Sequence, residues 1–319
     1  MGLSHQTVLL QEAVDALVVD RGGIYIDATF GRGGHTRAIL ERLNSSGMLI
    51  ALDKDPEAIA VAKQQFGGDS RFSVYHTSFS ELDKILTEKN LHGKISGVLL
   101  DLGVSSPQLD DAARGFSFLQ DGPLDMRMNP QSHPSAKAWI ASASVEEMTK
   151  VFRDYGEERF AKRIATAIAR ERVIKPIETT AQLAKIVSDA NPAWEKYKHP
   201  ATRVFQAIRI FINRELDDLQ QLLSYVLDVL KEGGRLVVIS FHSLEDRIVK
   251  NFMRDEARGY SADERLPARL PIMQPKHKIR ITIVGKPVRA SEAEVEHNPR
   301  ARSAIMRVVE RKGKAEMAT

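Results

Sequence analysis

The run Ile24-Tyr25-Ile26-Asp27-Ala28-Thr29-Phe30-Gly31-Arg32-Gly33-Gly34-His35 decides how this chain folds. Its first six residues suit a buried strand, the glycines let the backbone turn tightly, and residues 36–43 read as a helix. Strand, glycine turn and helix open a βαβ unit. Outward from there, residues 47–53 give a second strand with 56–65 as the helix behind it, 72–76 a third, and 95–100 a fourth, closed by Asp101-Leu102-Gly103. A fifth, Arg235-Leu236-Val237-Val238-Ile239, follows Gly233-Gly234 and a helical stretch over 215–230. Strands alternating with helices at this spacing predict an α/β fold with a mostly parallel sheet covered on both faces. Residues 279–284 and 303–310 read as two final strands, with 290–299 connecting them.

The 135 positions between Asp101 and Leu236 far exceed the dozen or so residues that a crossover to a neighbouring parallel strand needs. Helical patterns over 145–173 and 180–190, separated by breaks at Pro130, Pro134, Pro176 and Pro192, fill that gap. The expected organisation is a discontinuous sheet domain, 1–106 with 212–319, and an inserted helical domain, 107–211.

Composition narrows the function. At 319 residues, 43% hydrophobic and 28% charged, the chain suits a globular protein with a sizeable core. Its longest aliphatic stretch, 236–239, falls far short of the roughly 18 residues of a membrane-spanning helix. Polar His5, Gln6, Gln11 and Glu12 interrupt any secretory signal, so a cytoplasmic location is expected. The absence of cysteine excludes disulfides, thiolate zinc sites, iron–sulfur clusters and thiol nucleophiles. No His-Glu-x-x-His pair exists, and no metal is expected. Between Lys276 and Thr319 eleven Lys and Arg stand against five Asp and Glu, which suits either a polyanionic partner or a solvated tail.

Ligands of open parallel sheets bind beyond the carboxyl ends of the strands, where the winding reverses. After strand one comes the glycine run with Gly33, Gly34 and His35; after strand two comes Asp53, where a carboxylate can accept both hydroxyls of a ribose. Each has a plainer reading, the glycines as a tight turn and Asp53 as a helix cap before Pro56. Together, spaced across one βαβ unit, they favour a nucleoside cofactor. A dinucleotide fingerprint would need a third glycine where Thr36 stands, which disfavours NAD.

Asp27 on strand one and Phe79 just after strand three resemble class I S-adenosylmethionine methyltransferases, in which an apolar residue at the latter position packs on adenine; simple core burial is the alternative for Phe79. The stretch Asp101-Leu102-Gly103-Val104-Ser105-Ser106-Pro107-Gln108 is similar to the loop of enzymes that methylate exocyclic base amines. The amine lone pair of cytosine is delocalised into the ring, so hydrogen-bond acceptors must draw it toward the sulfonium methyl group. Asp101, Ser105 and Ser106 are the catalytic candidates from this loop. Gln108 and Leu109 stand where a proline and a stacking aromatic would be, leaving Phe116, Phe118 or Phe241 to stack the base. His242, just after strand five, could orient or hold a proton, or be a satisfied loop histidine.

The blocks 27–35, 101–110, Arg114-Gly115-Phe116-Ser117-Phe118, 122–128, Tyr155-Gly156-Glu157-Glu158-Arg159-Phe160-Ala161-Lys162-Arg163-Ile164, Ser240-Phe241-His242-Ser243-Leu244-Glu245-Asp246-Arg247 and 298–303 resemble, in order and nearly end to end, the bacterial MraW-type methyltransferases. That resemblance implies N4 methylation of a cytidine in 16S ribosomal RNA at the decoding region, with the small ribosomal subunit as substrate and partner and the enzyme a monomer or homodimer. It places S-adenosylmethionine contacts on Gly33, Gly34, His35, Asp53, Phe79, Asp101 and Gln108, and turns the helical insert toward RNA. Arg153, Arg159, Lys162, Arg163, Arg170, Arg172, Lys175, Arg203 and Arg209 could track a phosphate backbone, each with a solvated helix face as its plainer reading. Transfer is expected to be direct, the second amine proton passing to Asp101, His242 or water. The rivals are an NAD-dependent oxidoreductase on the same sheet and a non-catalytic ribosome-assembly factor.

Overall fold

The computed structural model describes residues 7–194, 199–259 and 278–313. The chain divides into two compact units, residues 1–103 with 217–319, and residues 104–216; the proposed insert of 107–211 lies inside the second.

In the first unit, helix α1 (Leu10–Leu17) precedes β1 (Ile24–Asp27), α2 (Gly34–Arg42), β2 (Met48–Asp53), α3 (Pro56–Phe66), β3 (Phe72–His76), α4 (Leu82–Glu88) and β4 (Ile95–Asp101). In the second lie α5 (Ser106–Asp110), α6 (Ala136–Ser142), α7 (Val145–Gly156), α8 (Ala161–Ile174), α9 (Thr180–Ala190) and α10 (Ala201–Asn213). Helix α11 (Glu215–Val229) contains the division between the units in its first turn. The first unit is completed by β5 (Leu230–Ser240), α12 (Ser243–Arg258), β6 (Ile281–Ile283), β7 (Val288–Arg289), α13 (Glu292–His297) and β8 (Ile305–Arg311).

The strands form one sheet in the order β3-β2-β1-β4-β5-β8-β6, with β7 also on β8. From β3 to β5 the pairing is parallel; β8 runs antiparallel to β5, β6 and β7. Strands β2 and β4 are buried along almost their whole length because both faces are covered, which is why they read as apolar runs, broken in β4 by the buried Ser96. The winding reverses at β1, from which the chain progresses first toward β3 and then toward β5. The carboxyl ends of β1 and β4 therefore flank a switch point.

Several sequence expectations shift. The 145–173 pattern is two helices, interrupted where Glu157 takes a left-handed conformation (φ 49°). Gly156 lies so close to the Arg203 carbonyl of α10 that a Cβ would sit 2.6 Å from it, and Arg203 donates to the Glu157 carbonyl. Helix α2 begins at Gly34, two residues early. Strand β5 is assigned from Leu230, but its register jumps from Ile95↔Leu230 to Gly97↔Arg235, with Gly233 at φ 71° inside the irregularity. The two expected C-terminal strands are present as β6 and β8, and the connection carries β7 and α13.

Candidate active site

The turn after β1 is built around Asp27. Its carboxylate is 1% exposed and accepts a 2.6 Å hydrogen bond from the Thr36 hydroxyl on α2. Thr36 thus has its own work where a dinucleotide loop would carry glycine. The Thr29 hydroxyl accepts from the Asp101 amide at 2.7 Å, tying the ends of β1 and β4 together. Gly33 caps α2 at φ 79°, and a Cβ there would meet the rings of Phe30 and Phe66 at 2.8 Å, so this glycine serves ring packing as well as the turn. Gly31, also left-handed, has only the Thr29 carbonyl within reach of a Cβ, at 4.0 Å. Gly34 packs against Thr7, and His35 behind it is buried.

Asp53 is not the cap of α3. That role falls to Asp55, whose side chain accepts from the Glu57 amide at 3.0 Å, ahead of Pro56. Asp53 instead accepts from the Gly31 amide at 2.8 Å and the Asp55 amide at 2.9 Å, joining the ends of β1 and β2. Phe79 opens the short 3-10 turn Phe79–Glu81; its ring is half-buried on the sheet core with Lys54 Nζ 5.9 Å above it.

At the end of β4, Asp101 stands in an unusual environment. Its Oδ1 is buried with no hydrogen-bond partner, and Oδ2 lies 3.6 Å from His35 Nδ1, too far for a good hydrogen bond. His35 is no counter-charge, since burial drives its pKa down to about 4 against a weaker opposing pull from the Val8 backbone. The buried Nε2 of His35 also lacks a partner. Although 24% of the Asp101 side chain still reaches solvent, burial pushes its carboxyl well above the ordinary range, and the charges of Asp27 and Glu245 push it further. Burial raises Asp27 to about 6, and raises Asp53 more than its backbone hydrogen bonds lower it. No lysine or arginine pairs with Asp27 or Asp101 among the described residues.

Glu245 is absent from the site residues expected from the sequence, although His242-x-x-Glu245 has the reciprocal spacing of a capping box. The Glu245 carboxylate, 2% exposed, accepts from the amides of Phe241 at 2.8 Å and His242 at 3.2 Å. In return, His242 Nδ1 accepts from the Glu245 amide at 3.4 Å, and Nε2 lies 3.0 Å from Glu245 Oε1. The imidazole thus closes the first turn of α12 through Nδ1, while its buried Nε2 has no hydrogen-bond partner. Asp27, Asp101 and Glu245 form a buried acidic cluster at the carboxyl ends of adjacent strands, a setting that calls for a cationic, hydrogen-bonding ligand.

The remaining candidates lie in the second unit. Ser105 precedes α5, and its amide donates to the buried Gln108 Oε1 at 2.9 Å; Ser106 is the first residue of that helix. Of the possible stacking aromatics, Phe116 is buried, Phe118 packs edge-on against Phe205 at 4.8 Å, and Phe241, in the first unit, is half-buried beside Gly103.

Six of the nine candidate phosphate contacts are already engaged, Arg170 among them with Glu171 at 2.9 Å. Arg172 closes α6 by donating to the carbonyls of Ile140 (2.5 Å) and Ala143 (2.7 Å), Arg203 caps α7, and Arg209 grips Glu215 through two 2.8 Å bonds. Arg153 pairs with Asp154, and Arg159 lies over Phe160. In the basic C-terminal stretch, Arg307 holds Asp246 with both arms, while 276–277 and 314–319 lie outside the described residues.

Comparison with known proteins places this geometry. The sequence model of the MraW methylase family matches residues 2–312. The chain belongs to that family. Over 309 residues it is 57% identical to Ribosomal RNA small subunit methyltransferase H of Chromohalobacter salexigens, covering 97% of this chain and 92% of the relative. Solved structures resembling it include an rRNA methylase from Streptococcus thermophilus (12% identity, TM-score 0.37, 95% of this chain and 93% of that one). A SAM-dependent O-methyltransferase from Thermotoga maritima gives 12% identity and a TM-score of 0.40, over 97% of this chain and 68% of that one. Such scores add nothing to the assignment, which rests on the family match; as an MraW methylase, the chain has the class I, Rossmann-like methyltransferase fold. No helix among the described residues is long and apolar enough to cross a membrane.

Proposed function

We propose that this protein transfers a methyl group from S-adenosylmethionine to the exocyclic N4 of a cytidine in 16S ribosomal RNA of the small subunit. The observation that carries the cofactor is that Asp27 and Asp101 stand at the switch point with no lysine or arginine paired to them among the described residues, and that Asp101 Oδ1 and His35 Nε2 are buried without partners. A donor bearing a sulfonium and an ammonium group supplies both the positive charge and the N–H bonds this pocket lacks. The ribosomal substrate comes from the 57% identical relative, and the N4 position from the MraW-type blocks of the sequence.

In this reading each residue has a definite task. The face of Gly31 is open to an approaching ligand, while Gly33 and Gly34 hold the turn and the start of α2. Asp53 has an acceptor site left after its backbone hydrogen bonds from Gly31, Lys54 and Asp55 and can take ribose hydroxyls. Phe79 offers its half-exposed ring to the adenine. The cofactor, when bound, presents an electrophilic methyl carbon on a positively charged sulfur. The amine nitrogen forms the new N–C bond as the C–S bond breaks, and the nitrogen then sheds a proton. Asp101 can accept it, since its buried Oδ1 has no hydrogen-bond partner and its carboxyl has a raised proton affinity. Ser105 and Ser106 follow Asp101 by four and five residues, and their role as acceptors for the amine protons, like a Gln108 contact with the cofactor, is part of the proposal.

Incubation with labelled cofactor and small subunits lacking the modification, followed by nucleoside mass spectrometry, tests the reading. N4-methylcytidine is the expected product. Label on another nucleoside would overturn the N4 assignment, and no label in RNA would overturn the activity.

A further inference from the structure

The second unit contains a groove of about 970 Å³ between α8 and α9. Lys162, Arg163, Arg170, Lys175 and Lys185 line it, against only Glu171 and Asp189 of opposite sign. The two acids are already matched within their own helices, Arg170 with Glu171 at 2.9 Å and Lys185 with Asp189 at 2.9 Å. Lys162, Arg163 and Lys175 remain exposed, with no carboxylate at ion-pair distance among the described residues. They differ from the arginines of the same region that cap helices or hold buried acids.

Three unneutralised cations along one concave wall suit a strip of negative charges, and the groove has no aromatic side chain on which a base could stack. We propose that the α8–α9 groove holds the phosphodiester backbone of the RNA substrate and supplies affinity without reading its sequence. The proposal rests on the RNA reading above and adds to it a surface and a mode of binding. Cations that meet phosphates displace condensed counterions, so each contact steepens the fall of affinity with salt. Base selection must then come from residues outside this groove.

The test uses the full-length protein with Lys162→Gln, Arg163→Gln and Lys175→Gln combined, and the charge-preserving combination Lys162→Arg, Arg163→Lys and Lys175→Arg as its control. Affinity is measured across a salt titration for small-subunit rRNA and for an unrelated RNA of equal length, alongside S-adenosylmethionine affinity. The neutral variant is expected to bind both RNAs more weakly by the same factor and to lose roughly 2–3 from the log–log salt slope, at about 0.7–0.9 per phosphate contact. The control should behave as wild type, and cofactor affinity should stay unchanged in both. An unchanged slope in the neutral variant, with wild type still binding RNA, overturns the groove and leaves the methyltransferase reading standing. Weakening confined to the small-subunit rRNA overturns the backbone mode. If wild type binds neither RNA, the reading on which the groove rests fails with it.

Discussion

The two units treat buried charge in opposite ways. In the helical unit Glu215, 8% exposed on its side chain, is held by both arms of Arg209. In the sheet unit the buried Asp27 and the half-buried Asp101 have no lysine or arginine partner among the described residues, and the nearest base, His35, is held neutral. A buried charge with a matched partner is architecture; a cluster without one stores unfavourable energy that a ligand can relieve. That contrast makes the acidic cluster the better marker of the active site, and it can be attacked from either side.

The largest stability effect belongs to the matched pair. Arg209→Ala strands the Glu215 carboxylate and should destabilise the protein by about 3–5 kcal/mol in urea unfolding. Arg170→Ala, at an exposed pair, should change it by no more than about 0.5 kcal/mol. Similar losses in the two variants would erase the distinction on which the comparison stands. In the sheet unit, Asp101→Ala should lower kcat by roughly 10²–10³-fold while leaving the circular dichroism spectrum intact and the melting temperature no lower, because it removes an unmatched buried acid. Near-normal turnover would take Asp101 out of the site.

Acidity sharpens the contrast further. The folded protein keeps the Asp27 proton up to about 6, whereas the unfolded chain releases it near 3.8, so the folded state binds more protons across that window. Stability attributable to Asp27 therefore falls as pH rises from about 4 to about 6, by up to roughly 3 kcal/mol. His35, lowered from 6.5 to about 4, acts in the opposite direction over an overlapping window, so wild type must be compared with Asp27→Asn at each pH. A difference that stays flat from pH 4 to 6 would mean that Asp27 is compensated. A smaller effect concerns the neighbouring acids. Asp55→Ala should cost about 1 kcal/mol as a lost helix cap, with cofactor affinity largely kept. Asp53→Ala should do the reverse, weakening cofactor binding with α3 still capped, as paired calorimetric and thermal measurements would show.

The parallel core was legible because strands covered on both faces are apolar at nearly every position, so β2 and β4 appear as mostly aliphatic runs, with Ser96 and Gly97 interrupting β4. The last strands were harder. Two residues make β7, too few for a pattern, and its pairing on β8 depends on contacts remote in sequence. The break at Glu157 was hidden because the apolar period continues through it, and the turn depends on the close approach of α10. At the site, the glycines and Asp53 could be found from spacing, but not that Asp55 would take the capping role, nor that Gly33 is pressed between two phenylalanines. Glu245 left a signal in its capping-box spacing; its proximity to Asp101 requires the sheet to bring β4 and β5 side by side.

Titration calorimetry of S-adenosylmethionine near pH 6, repeated in buffers of different ionisation enthalpy, tests most directly whether an unmatched acidic cluster awaits a cation. A cationic ligand favours the ionised carboxylates, so binding should release protons, and that release should shrink in Asp27→Asn. Tight binding with no buffer dependence, or proton uptake in its place, would contradict the account.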